Sequence, residues 1–256
     1  MNVDYPIQEV PATPDYILAV IKDSHRQQCQ FDPEAEKDTL LTFDSTIQEW
    51  REACDLLAWR KVAKAMNDWF KTGFSDEQWK TVLEPAKEKK LRHVCELLAT
   101  KAKRIEIKPF GNRCENAGIF LTIRSLLKRA GAKEQIKPST QIAAFSRNYL
   151  EKFFDEIAKI EPGALPLVKI HKPFYHYSVL ALLLGFVICA VGSYFSPLLV
   201  IFGVCVAAFA YAMIYVAAKA RPAKVEFGSV KTFRDLTLLI ANARKERMVA
   251  RHGFEP

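Results

Sequence analysis

The sequence lacks nearly every short motif that announces chemistry. It contains no glycine-rich phosphate loop, no Gly-Lys-Ser/Thr and no Gly-x-Ser-x-Gly. The usual local signatures of nucleotide binding and of serine hydrolases are therefore absent. Its six cysteines, Cys29, Cys54, Cys95, Cys114, Cys189 and Cys205, include no Cys-x-x-Cys pair and no regular spacing. That usage predicts reduced thiols rather than a disulfide framework. The stretch Met1 to Asp15 has neither a basic n-region nor an apolar h-region, so it does not read as a signal peptide. No internal repeat or low-complexity tract is visible.

One further absence is the most informative. Ser178 to Gly192 carries no charged residue, and neither does Leu198 to Ala218. A bilayer core is about 30 Å thick and takes roughly 20 apolar helical residues to cross. The two runs predict a transmembrane hairpin over 174–218, with Ser193-Tyr194-Phe195-Ser196-Pro197 as its turn. Aromatic residues fall where an interfacial belt would place them: Phe174, Tyr175 and Tyr177 at the start, Tyr194 and Phe195 at the turn, Tyr211 and Tyr215 near the end. Small residues recur every four positions. Ala181 and Gly185 on the first helix, with Gly203 and Ala207 on the second, are the candidates for close helix packing. No ionisable residue sits at membrane depth, which argues against a conducting or coupling path.

Charge is unevenly spread over the remainder. Residues 1–60 hold five basic against twelve acidic side chains, and residues 61–172 hold 23 against 13. Lys169, Lys172, Lys219, Arg221 and Lys224 flank the open side of the hairpin, whereas its turn is uncharged. Positive flanks stay on the cytoplasmic side. The expectation is an integral membrane protein with both termini cytoplasmic.

The fold class expected is all-α. The first segment, 1–44, is acidic and partly irregular, extended through Pro6, Pro11 and Pro14, with a short helix near Asp15 to Ser24. A soluble domain of about five helices occupies 45–161. Its first helix starts at a capping box, Thr46 with Glu49, and a stripe from Ile47 through Trp69 predicts one helix of about 25 residues. Ser75 with Gln78 starts the next, and Pro85 ends or opens a helix. Leu91 to Ala102 and Glu115 to Ala130 follow, the latter stopped by Gly131. The last soluble helix is expected over Ser146 to Ile160. Arg104 to Lys108 alternates as a short strand would. A proline-rich linker covers 162–173. The tail, 219–256, starts a basic amphipathic helix at Thr232 and Asp235. Its apolar face is Phe233, Leu236, Leu239, Ile240 and Ala243, and the favoured reading lays it on the lipid surface, with packing on the soluble domain as the alternative.

Candidate chemistry is thin. Cys114 directly precedes a helix and follows Arg113, a setting that favours a thiolate. His93 is the nearest plausible base, making Cys114 with His93 the single nucleophile pair worth naming. No flanking sequence matches a cysteine enzyme. A metal site built from His93, Cys95 and Cys114 is disfavoured, because His-x-Cys on one helix points the two side chains apart. Neither a metal nor a cofactor is expected. The basic run Lys87, Lys89, Lys90, Arg92, Lys101, Lys103, Arg104, Lys108 and Arg113 is dense enough to attract phosphate. The leading reading is a solvated helix face balanced by Glu84, Glu88, Glu96 and Glu106; of ligands, anionic lipid is a better match than nucleic acid, since no aromatic-rich strand accompanies the charge. Lys219, Arg221, Lys224, Lys231, Arg234, Arg244 and Lys245 are the candidate lipid-surface residues. The function expected is a non-enzymatic, membrane-anchored cytosolic adaptor or scaffold. Its partners are the lipid bilayer and a protein, or a second copy of itself. A membrane-shaping or homo-oligomeric hairpin protein and a membrane-associated cysteine enzyme are the alternatives.

Overall fold

The computed structural model describes residues 5, 7–30, 32, 34–56, 58–109, 114–171, 173–219 and 224–252. Arg113, Lys172 and Arg221 lie outside the described residues, as do the side chains of Leu150, Tyr175, Lys219 and Arg251. The chain divides into two compact units. One comprises 1–169 with 227–256, and the other 170–226. Each is described by itself.

The larger unit is mostly helical, with one short sheet. β1 (Gln8–Pro11) pairs antiparallel with β2 (Lys103–Glu106), Gln8 opposite Glu106 and Pro11 opposite Lys103. The amide of Ala12 donates to Ala102 and extends the ladder by one bond (2.9 Å). The N-terminal stretch read as irregular is thus partly a strand. Pro11 is tolerated because hydrogen-bonded and unbonded pairs alternate along the ladder: with Ala12 bonded to Ala102, Pro11 sits at a non-hydrogen-bonded pair, and the N–H it lacks would point away from β2. α1 (Pro14–Gln28) follows at once, with Thr13 accepting the Tyr16 amide and Pro14 at the first turn. It packs along α5 (Leu91–Ala99).

The 25-residue helix expected after Ser45 is instead two helices. α2 (Ile47–Ala53) stops at Cys54, and Asp55 adopts a left-handed backbone (φ 45°). α3 (Trp59–Phe70) follows as a separate helix and ends at Lys71, which is also left-handed (φ 56°). The apolar spacing carries across this break unchanged, so it gives no local sign of it. α4 (Asp76–Leu83) begins at the Ser75/Gln78 box, in which both reciprocal hydrogen bonds are present.

Ile47, Trp50, Ala53, Val62, Ala63, Trp79, Leu83, Leu91, Val94, Cys95 and Leu98 close on Ile17, Val20 and Ile21 to form the first core cluster. The Thr46 box at the start of α2 is also complete: Thr46 Oγ accepts the Glu49 amide (3.1 Å), and Glu49 accepts the Thr46 amide (2.7 Å). Thr46→Ala should cost about 1 kcal/mol of stability in denaturant titration of the full chain. An unchanged midpoint would mean that the neighbouring bonds from Ile47 to Lys89 and from Leu91 to Ser45 hold the segment without the cap.

α6 (Glu115–Arg129), α7 (Ile142–Ile157) and α10 (Phe233–His252) form the second cluster. Gly131 takes the positive φ (91°) that ends α6, which an L side chain would resist. α7 starts four residues before Ser146. α10 packs on α6. Phe233, Leu236 and Ile240 are buried, and Phe233 meets Phe145 edge-on at 5.4 Å. The backbone joins in: Ile142 donates to Lys231 and Phe233 to Thr140. Phe233, Leu236 and Ile240 of the tail helix thus pack on protein of its own chain, the alternative the sequence leaves open, while Leu239 and Ala243 are half-buried. Thr232 and Asp235 cap it as their spacing predicts. Within 45–161 the described residues hold six helices, α2 to α7, where about five are expected, the extra one arising from the break at Asp55.

In the smaller unit, α8 (Pro173–Phe195) and α9 (Pro197–Lys219) lie along each other. Two strands, β3 (Lys169–His171) and β4 (Lys224–Glu226), pair at their base. The expected five-residue turn shrinks to Ser196. Its amide donates to Gly192 (2.9 Å), its hydroxyl takes the Leu198 amide (3.3 Å), and Pro197 fills the first position of α9 without needing a partner.

Candidate functional site

The most extensive candidate surface is the hairpin. His176–Phe195 has a mean hydropathy of 2.2 and Pro197–Ala217 one of 2.4, so both helices are long and apolar enough to cross a membrane. Most of their large side chains are uncovered. Leu180, Leu183, Leu184, Phe186, Val187, Ile201, Phe202, Val204 and Phe209 are all more than half exposed. An apolar surface of this size on a soluble protein would be an aggregation hazard or an interface.

The two helices meet through their smallest residues. A Cβ on Gly185 would fall 2.8 Å from the Ala207 amide nitrogen, and one on Gly203 would fall 2.8 Å from the Cys189 nitrogen and 2.9 Å from the Gly185 oxygen. Gly192 has the same relation to Leu199. Gly185, Gly203 and Ala207 thus lie at the contact, while Ala181 is half-buried. Spacing alone did not single out Gly192.

The thiol candidates are not assembled. Cys114 is exposed at the start of α6 and makes no capping hydrogen bond. His93 spends its Nδ1 accepting the Lys90 amide (3.1 Å) inside α5. Among the described residues no hydrogen bond joins the two. Burial pushes the Cys54 and Cys95 thiols up to about 12, which removes both as nucleophiles at neutral pH. Among the described residues no group of three or more His, Cys, Asp or Glu is placed to hold a metal ion.

The basic run divides into separate sets. Lys90 pairs with Asp44 (3.1 Å), and Arg92 stacks over Phe43 at 4.8 Å. Strand alternation then splits Lys103 from Arg104. Arg104 faces a recess with Glu161, Arg244, Arg247 and Met248, where Arg247 pairs with the buried Glu161 (2.8 Å) and Arg244 with Glu115 (3.4 Å). Lys103 and Ile105 face a larger cleft on the other side. Of the tail cations, Lys231 and Arg234 are exposed, Lys224 pairs with Glu226, and Lys245 is exposed.

That larger cleft lies on the seam between the two core clusters of the large unit. Tyr16 and Glu9 come from the N-terminal end, Trp69 and Lys71 from the end of α3, Lys101 and Lys103 from the approach to β2 and its first residue, Arg129 from α6, and Glu156 and Lys159 from the end of α7 and just beyond. Cross-bonds hold the seam. The Tyr16 hydroxyl donates to the Lys159 carbonyl (2.7 Å), and the Lys159 ammonium donates to the Trp69 carbonyl (3.0 Å). Desolvation raises the Tyr16 phenol well above its usual range, so it remains a neutral donor. Only Lys101 and Lys103 of this set stood out in the sequence; a basic residue per distant element leaves no local signal. Comparison of the chain with protein-family models, with curated proteins and with solved structures finds no match.

Proposed function

We propose that the protein is a membrane-anchored adaptor: the hairpin spans the bilayer, and the helical unit, held on the cytoplasmic face, binds a protein partner. The observation that carries this reading is the combination of an uncovered apolar hairpin with a compact unit built from chain on both sides of it. If residues before and after the hairpin fold together, its two ends lie on one side of the membrane, and an even number of crossings follows. Each 23-residue helix is roughly 34 Å long, enough for a core of about 30 Å. The ten Leu, Ile, Val and Phe residues of His176–Phe195 each favour insertion by roughly 0.3–0.6 kcal/mol near the bilayer centre, and no charge opposes them. The positive flanks Lys169 and Lys224 support the cytoplasmic side. Binding rather than catalysis is favoured because the named nucleophile and base are not brought together.

Cross-linking in native membranes, followed by detergent extraction and mass spectrometry, tests this. The expected result is a specific protein joined to residues 45–160, together with retention of the chain in alkali-washed membranes. Release by alkali would overturn the anchor. Self-cross-links alone, centred on the hairpin, would replace the adaptor with a homo-oligomeric role.

A further inference from the structure

The seam cleft carries a charge imbalance that its own carboxylates do not cancel. It encloses about 200 Å³, and its described lining sets the cations Lys71, Lys101, Lys103 and Arg129 against two carboxylates, Glu9 and Glu156, while the Lys159 ammonium is spent on the Trp69 carbonyl. Glu9 takes both Arg129 (2.8 Å) and Lys103 (3.6 Å), and Glu156 takes Lys71 (3.2 Å). The hydrogen bond from Arg129 is the chief reason the Glu9 carboxyl is held below its usual range. Lys101 places its ammonium over the Phe74 ring at 4.5 Å and, among the described residues, meets no carboxylate within ion-pair distance. One wall is aromatic, from Tyr16, Trp69 and Phe70.

We propose that this cleft binds a small phosphate-bearing molecule, with the phosphate held among Lys101, Lys103 and Arg129 and the organic part against Tyr16 and Trp69. The class follows from magnitudes. A phosphate monoester carries about −1.5 to −2 charge and three strong acceptor oxygens at neutral pH, which answers an excess of two positive charges among the described lining residues better than one carboxylate does. Arginine and lysine together supply the fork and the point charge that phosphate groups take. The volume falls below the roughly 300–1,000 Å³ of drug-sized sites. A dinucleotide is therefore excluded, and a phosphorylated ring or a lipid headgroup is the right size. Recesses at the seam between packed clusters are common ligand sites. The proposal stands apart from the membrane reading, since every residue of the cleft belongs to the helical unit.

The test uses the full chain in neutral-detergent micelles, titrated at low salt with phenyl phosphate and followed by tryptophan fluorescence. A saturable change is expected, and it should vanish in Trp69→Phe. Lys103→Gln and Arg129→Gln should each weaken binding by about tenfold, with far-UV circular dichroism unchanged. Benzoate, which keeps the ring but carries one charge on a planar two-oxygen carboxylate, should bind far more weakly. Lys64→Gln, an exposed change on the same chain outside the cleft, should leave affinity unaltered.

Nanodiscs of phosphatidylcholine, with and without phosphatidylinositol phosphate, separate the two sources of the ligand. A fluorescence change on adding the lipid, reversed by phenyl phosphate, identifies a headgroup; binding of phenyl phosphate with no lipid response identifies a free metabolite. The proposal is overturned if neither arm saturates, if benzoate equals phenyl phosphate, or if Lys64→Gln weakens binding as much as Arg129→Gln does.

Discussion

Trp79→Ala lowers the stability of the helical unit by about 3–5 kcal/mol, the range for losing a large aromatic from a packed core. Trp79 is fully buried on α4 and meets Phe74 edge-on at 6.0 Å. It belongs to the cluster that joins α1, α2, α3 and α5, so the cavity would open where five helices converge and none can collapse alone. A domain of this size has only about 5–15 kcal/mol in total, and the variant should be largely unfolded at modest denaturant. Trp79→Phe separates packing from polarity. Among the described residues the buried indole Nε1 has no hydrogen-bond partner, a condition that costs about 1–3 kcal/mol. Phenylalanine removes that orphan donor while keeping most of the apolar volume, and should lose far less than alanine. Denaturant midpoints of the two variants check this; equal losses would mean that the indole N–H has a stabilising partner in solution.

Gly203→Val forces the two apolar helices apart. The new Cβ would fall 2.6 Å from the Cys189 sulfur, and its other close neighbours are backbone atoms of α8. A side-chain tip could rotate away, but a backbone cannot. Overpacking of this kind costs about 1–3 kcal/mol even where side chains yield, and in the proposed bilayer setting no hydrophobic effect would hold the helices together once their van der Waals fit is lost. The readout is alkylation of Cys189, which is partly covered and directs its thiol at the Val200 carbonyl (3.6 Å). Peptide mapping should show Cys189 labelled severalfold faster in Gly203→Val, with Cys205, already exposed, unchanged. Ala190→Val, on the exposed face of α8, is the control. If Cys189 labels at the same rate in Gly203→Val, the close contact is absent.

What the sequence disclosed was local. The three capping boxes, at Thr46, Ser75 and Thr232, sit where their spacing puts them, because a cap is satisfied within four residues. The uncharged runs are likewise local and appear as two long helices. What stayed hidden depends on distant partners. Asp55 breaks a stripe whose apolar period continues through Trp59. The strand at Gln8–Pro11 exists only because Lys103–Glu106 pairs with it. For α10, an apolar face formed by Phe233, Leu236 and Ile240 looks the same whether lipid or α6 covers it. The seam cleft gathers Tyr16, Trp69, Lys71, Arg129 and Lys159 from separate elements, and no window of sequence contains two of its walls.

The packing of α10 on α6 also imposes an order on biosynthesis. α6 and α7 leave the ribosome long before their last partner does, because the whole hairpin lies between them and Phe233. At about 5–20 residues per second, the roughly 80 residues from the end of α7 to the middle of α10 take about 4–16 seconds to make. Throughout that interval the faces of Ile119, Ile123, Phe145 and Phe153 have no cover from Phe227, Phe233 and Leu236. On the proposed membrane reading, the nascent chain would deliver its most apolar segment to the insertion machinery while its own helical unit is still open, so that a delay in targeting would leave two sticky surfaces exposed together.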